Sequence, residues 1–332
     1  MRTAGLVLLI VVALGFDFTN GFHDAANAVA VSISTRALRP IVALVMAAAL
    51  NVVGALVSTK VAATVGSGII ATPAGNHGLV IVFSALIGAI AWNLLTWWFG
   101  LPSSSTHALI GGLIGAALGA ANSVHWHGVV SKVVVPMAVS PVIGLAIGYL
   151  LTVAILWLFR RARPAGVNRG FRRAQVASTG AMSFSHGTQD AQKTMGVITL
   201  ALVVTGHLQS FHVPVWVILA AAGAMGIGTF AGGWRVIRTL GHRITALDPP
   251  RAFAAQTSAS TVLLVSAYAY AMPISSTHLM TSSVMGVGAT RRLSAVRWGV
   301  ARKVVTAWVL TIPGAAVSAW AVYQVARAIT GT

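Results

Sequence analysis

Only four acidic side chains occur in this sequence, Asp17, Asp24, Asp190 and Asp248, and there is neither glutamate nor cysteine. Without cysteine, disulfides, thiol catalysis and cysteine metal sites are excluded. Asp17, Asp24 and Asp190 fall inside or at the edge of long apolar runs. A carboxylate in such a place costs about 2.5–3.5 kcal/mol to insert into a bilayer, so it needs a partner or a task. Asp24 stands in Gly21-Phe22-His23-Asp24-Ala25-Ala26-Asn27, and Asp190 in Gly187-Thr188-Gln189-Asp190-Ala191-Gln192-Lys193. Asp24 and Asn27, three residues apart, share a helix face. Asn20 and Gly21 are expected to interrupt the helix, and unwound backbone with carboxylate and amide oxygens suits a small hard cation or a proton. The bland alternative is that each aspartate only pairs with Lys193 or a histidine and ties helices together. Asp248 precedes Pro249-Pro250 and reads as a turn residue.

A second pair of motifs has the opposite chemistry. Pro102-Ser103-Ser104-Ser105-Thr106-His107 and Pro273-Ile274-Ser275-Ser276-Thr277-His278 each place Pro and hydroxyl residues as at a helix start. A helix beginning at membrane depth aims free N–H groups and hydroxyls at one point, a natural anion site. Two such sites face to face offer enough donors for a tetrahedral oxyanion, and neutral donors release it more readily than an arginine clamp. Ordinary Ser/Thr packing between membrane helices is the alternative, weaker for two matched motifs than for one. His107 and His278 read equally well as packing donors or as ligands. A hydrolase built on Ser105 and His107, or on Ser276 and His278, is disfavoured because residues two apart on a helix point in different directions.

The elements that must position these groups are membrane helices. Of the 332 residues 57% are hydrophobic and 8% charged, against about 25% charged in soluble domains. Apolar runs near the length needed to cross about 30 Å recur throughout. Ten spans are expected, near 4–35, 40–58, 79–100, 102–122, 129–159, 176–206, 213–233, 252–271, 273–290 and 304–326, or twelve if helices are broken. The net charge of +18 does not imply nucleic acid, because the basic residues sit between apolar runs. With both termini outside, the loops 36–40, 160–175, 234–251 and 291–303 fall inside and carry most of the 22 Lys and Arg, as the positive-inside rule requires. Lys60 and Arg235 read as snorkelling at the surface.

The chain also resembles itself at a spacing of about 170 residues. The two Asp motifs align, as do the two Pro-to-His motifs, Lys60 and Thr64 with Arg235 and Thr239, and Lys132-Val133-Val134 with Lys303-Val304-Val305. Five spans per half is an odd number, so the second half enters from the opposite side, an inverted-topology repeat typical of secondary transporters. The fold class expected is an all-α polytopic membrane protein with two five-span halves, 1–159 and 176–332, joined by a basic linker at 160–175. No Gly-x-x-x-x-Gly-Lys-Ser/Thr loop is present, which argues against direct ATP use, and no cofactor is implied. A dianion beside two aspartates is repelled in low dielectric, so a proton, sodium or divalent metal must enter with it.

At these motifs the sequence resembles the inorganic phosphate transporter (PiT) family over almost its whole length. The resemblance implies a carrier in the plasma (inner) membrane, not an enzyme. It implies phosphate binding by Ser104, Ser105, Thr106, Ser275, Ser276 and Thr277, and cation or proton coupling at Asp24, Asn27 and Asp190. His23 and Gln189 stand where sodium-coupled members carry Asn. The His form resembles bacterial low-affinity carriers linked to protons and metal–phosphate complexes, which favours a proton over sodium. Sulfate transport, sodium coupling and a passive anion channel are the alternatives, and a homo-oligomer stays open.

Overall fold

The computed structural model describes residues 2–67, 70 and 75–330. Regular structure among them is helical, and an isolated bridge joins Ile70 to Val124. Helix α1 (Arg2–Ser34) leads to α2 (Pro40–Val57), the short α3 (Lys60–Ser67) and α4 (Asn76–Trp98). A turn at Gly100, with φ 64°, then feeds α5 (Ser105–Gly119). Next, α6 (Trp126–Val129) runs through a π-helical turn, Val130–Val134, into α7 (Val135–Leu158). The remaining helices are α8 (Pro164–Val204), α9 (Val215–Ala231), α10 (Trp234–Arg238), α11 (Pro249–Val265), α12 (Ser276–Ala289) and α13 (Trp298–Thr330).

Among the described residues, five helices are long and apolar enough to cross a membrane, and a sixth crossing results if Val215–Ala231 and Trp234–Arg243, bent by 58°, count as one. The difference from the ten expected spans has a physical source. The 41-residue α8 has the length to cross but carries a polar middle. The 15-residue α5 and 14-residue α12 rise only about 22 and 21 Å, short of about 30 Å of hydrocarbon. Both begin at the Ser/Thr motifs. Large apolar side chains such as Val142, Leu150, Val215 and Val317 point outward, as a lipid-facing surface requires.

Two apolar cores sit one above the other. Helix α1 contributes Leu6 to Phe16 to the first core and Ala25 to Val31 to the second. Helix α8 meets them in the reverse order, with Met182 in the second core and Ala191 to Leu202 in the first. Between the cores both helices are polar, at Asp17 to Asp24 and at Ser183 to Asp190. The short helices are gripped crosswise: α5 packs against α13, and α12 against α7.

The unwound backbone expected at Asn20 and Gly21 is not found. Helix α1 stays helical through Asp24, and α8 through Asp190. The motif glycines serve close approach instead. A Cβ on Gly21 would overlap the Met225 carbonyl of α9, and a Cβ on Gly187 would overlap the Asn51 carbonyl of α2. Small residues at membrane-helix crossings let backbones touch. Within the segment 160–175, Pro164 stands in the first turn of α8 and starts that helix.

Candidate functional site

The site forms where the middles of α1 and α8 meet the N-termini of α5 and α12. Both short helices start alike. Ser104 Oγ accepts from His107 N at 3.2 Å, and Ser275 Oγ accepts from His278 N at 3.1 Å. Each cap satisfies one of the free N–H groups of a first turn. The hydroxyls that follow, on Ser105, Thr106, Ser276 and Thr277, are buried and turn toward α1 and α8.

Asp24 joins the two helix starts. Its Oδ2 accepts from Ser105 at 2.9 Å, its Oδ1 accepts from Thr277 at 3.2 Å, and His23 Nδ1 lies 2.8 Å from Oδ1. Asn27 Nδ2 donates to Thr277 at 2.9 Å and Ser276 at 3.4 Å, leaving its buried Oδ1 without a partner. In the other half, Ser276 donates to Asp190 Oδ2 at 3.1 Å, and His186 Nδ1 lies 2.7 Å from the same oxygen. Lys193 Nζ sits 3.1 Å from Asp190 Oδ1 and donates to Ser105 at 2.9 Å and Thr106 at 3.1 Å. The ion pairing weighed as the bland alternative is therefore present, but it is woven into the hydroxyl cluster.

Other expected residues are placed less directly. The remaining nitrogen of His23, Nε2, lies 3.3 Å from Thr96 and 3.5 Å from Ser103. Gln189 Nε2 donates to the carbonyls of Leu263 and Met272, away from the hydroxyl cluster, with Oε1 unpartnered. His107 and His278 pack on each other with ring centroids 4.8 Å apart, and His278 stacks on Trp308. They form the packing behind the motifs. Ser105 is bonded to Asp24 and Lys193 while His107 Nδ1 has no partner, so no nucleophile–base pair exists there.

Sequence reasoning passed over two groups here. His186 lies one turn before Asp190, and one ligand atom each from Asp24, His186 and Asp190 fall within 4.8 Å of one another, a separation that fits one cation. Lys193 was visible only as a neutralising partner, although its place opposite Asn27 in the repeat was a signal. Asp17 is a third buried carboxylate, beside Asn20 and Thr194, and neither of its oxygens is in hydrogen-bonding geometry. Outside the membrane layer, Asp248 caps α11 by accepting from Arg251 N at 3.1 Å and pairs with the Arg251 and Arg291 side chains. Burial alone would raise its carboxyl, but the bonds from Arg291 and Arg251 outweigh that and hold it below the usual range.

Long apolar helices thus close around a buried cluster of hydroxyls, carboxylates and one ammonium. The sequence profile of the phosphate transporter family matches residues 20–166 and 160–319. A low-affinity inorganic phosphate transporter of Mycobacterium tuberculosis is 47% identical over 312 residues, 93% of this chain and 74% of that one. Those of Rhizobium meliloti and Bacillus subtilis are 46% and 41% identical, over 94% and 92% of this chain and 93% and 92% of their own length. A solved sodium-dependent phosphate transporter superposes with a TM-score of 0.87 at 25% identity, over 98% of this chain and 100% of that one. The chain belongs to the phosphate transporter family.

Proposed function

We propose that this multi-pass protein carries inorganic phosphate by cation-coupled symport, with a proton as the favoured coupling ion, through alternating access. Phosphate is held between Ser104, Ser105 and Thr106 at the start of α5 and Ser275, Ser276 and Thr277 at the start of α12. The observation that carries this reading is that hydroxyls from both helix starts donate to one carboxylate, Ser105 and Thr277 to Asp24, while Ser276 donates to Asp190.

A hydroxyl has one proton to donate. When phosphate oxygens take the donors of Ser105, Thr277 and Ser276, Asp24 and Asp190 lose them in a buried place. An ionised carboxylate stripped of its donors, beside an anion in low dielectric, is strongly disfavoured. Charge balance therefore requires a proton or another cation to enter with phosphate at this carboxylate pair and to leave with it. His23, against Asp24, and Asn27, with its free oxygen, are placed to pass or hold that cation; Gln189 supports the Asp190 segment. The reverse order in which α1 and α8 pass the two cores, with the crosswise grip on α5 and α12, supports an inverted repeat of 1–159 and 176–332. Its rocking would expose the site to each side in turn. The basic loops support termini on the outer face of the plasma membrane.

Sodium coupling is the second reading, favoured by the sodium-dependent structural neighbour. Radiolabelled phosphate uptake into proteoliposomes separates the two. An inward proton gradient should drive uptake in choline buffer, and excess sulfate should not compete. Uptake that ignores the proton gradient and follows an inward sodium gradient overturns the proton reading. A magnesium requirement would make the metal–phosphate complex the substrate, with Asp24, His186 and Asp190 as its contact. Uptake without any driving cation gradient, and no accumulation, would leave a passive channel.

A further inference from the structure

The two halves differ three residues after each aspartate, and the coupling scheme leaves the second-half residue, Lys193, without a part. Asp24 is followed three residues later by Asn27, and Asp190 by Lys193. Both side chains cross to the opposite half in the same way. Asn27 Nδ2 reaches Ser276 and Thr277 of α12, and Lys193 Nζ reaches Ser105 and Thr106 of α5. The first half thus ends in a neutral amide with an unpartnered buried oxygen, and the second in a buried positive charge.

An ammonium has three donors and no acceptor. Those of Lys193 are all accounted for, by Asp190 Oδ1 at 3.1 Å, Ser105 Oγ at 2.9 Å and Thr106 Oγ1 at 3.1 Å. One carboxylate oxygen and two hydroxyl oxygens converging on one point are the ligands a bare monovalent cation would take, and here a side chain fills the place. Three carboxylates, Asp17, Asp24 and Asp190, crowd this region, and Lys193 lies close enough to act on both Asp17 and Asp190. An incoming phosphate bonded to Ser105 and Thr106 would sit directly against its ammonium.

We infer that Lys193 is a tethered cation: it occupies, permanently and covalently, the cation position of the second half, so one fewer free cation accompanies each phosphate. This rests on the phosphate-symport reading above. A free cation must be bound from one side and released to the other in each cycle. The Lys193 ammonium moves with the protein and neutralises Asp190 and the substrate without being transported. The first half, with Asn27 in place of a lysine, keeps the exchangeable position.

The test places Asn at position 193, matching the other half. Wild type and Lys193→Asn are reconstituted, and phosphate uptake and charge moved per phosphate are measured in choline, sodium and lithium. The variant is expected to lose at least tenfold of its uptake in choline, to recover in sodium or lithium, and to move one more positive charge per phosphate than wild type. Equal uptake and equal charge per phosphate in choline for both proteins would overturn the inference. A loss that no monovalent cation reverses, in a variant that still inserts and elutes as wild type does, would also overturn it, and would leave Lys193 as a phosphate ligand only. If Lys193→Asn does not reach the membrane, Lys193→Gln, which keeps more of the stem, is read against the same two outcomes. Wild type that takes up no phosphate under any gradient would instead refute the symport reading, a result separate from any difference between variant and wild type.

Discussion

The Asp24 region and the Asp190 region use the same scaffold to hold a carboxylate under opposite electrostatic conditions. Each lies mid-helix between two apolar cores, each follows a glycine that lets its helix touch a neighbour's backbone, and each accepts from a hydroxyl at a short-helix start. Around Asp24 the partners are a histidine, two hydroxyls and a neutral amide nearby; around Asp190 they are a histidine, a hydroxyl and an ammonium. Geometry is thus kept while charge is divided. On the proposed scheme the Asp24 side binds and releases a cation, and the Asp190 side carries its own.

That comparison can be broken at several points. Asp24→Asn removes the exchangeable carboxylate and should abolish proton-driven phosphate uptake, a loss of at least about a hundredfold, roughly 3 kcal/mol, in protein that still inserts. Full proton-driven uptake by this variant would end the coupling role of Asp24. Asp190→Asn should differ from it in kind, because Lys193 is left as a buried unpaired charge, at a cost of about 3–5 kcal/mol. Thermal unfolding should show this variant less stable than Asp24→Asn, and adding Lys193→Asn should return much of the loss. If the double variant is no more stable than Asp190→Asn alone, the pair is not what holds that region.

Where the halves are alike, substitutions should act alike. Gly21→Ala and Gly187→Ala each push a Cβ into a neighbouring carbonyl and should destabilise by about 1–3 kcal/mol each, read from detergent-solubilised melting curves. A large effect at one glycine and none at the other would argue against matched crossings. The smallest effect is expected outside the membrane. Asp248 is held below its ordinary value of about 3.9. Its contribution to stability is therefore fully present above about pH 4 and is lost as pH falls through the lower folded value. Asp248→Asn keeps a capping side chain but loses the charge, so it should melt slightly lower than wild type at pH 7 and show a flatter acid-side decline, the two proteins converging at low pH.

The sequence by itself determined the membrane class, since too few charges and too many apolar runs leave no soluble alternative. It also singled out Asp24, Asn27, Asp190 and the two Ser/Thr motifs, because polar groups are costly in lipid and stand out for that reason. The meaning of the glycines was legible only in part. A glycine beside an asparagine reads equally as a break or as a contact, and contact with α9 or α2 exists only once the helices are packed. Hydropathy could not separate the long helices from the short α5 and α12, since it measures apolarity and not where a helix begins and ends. Tertiary structure alone decided that Ser105 serves Asp24 while Ser276 serves Asp190, and that Lys193 reaches across to the hydroxyls of α5. Those pairings join residues more than 80 positions apart, and local spacing carries no information about which distant helix will close on which.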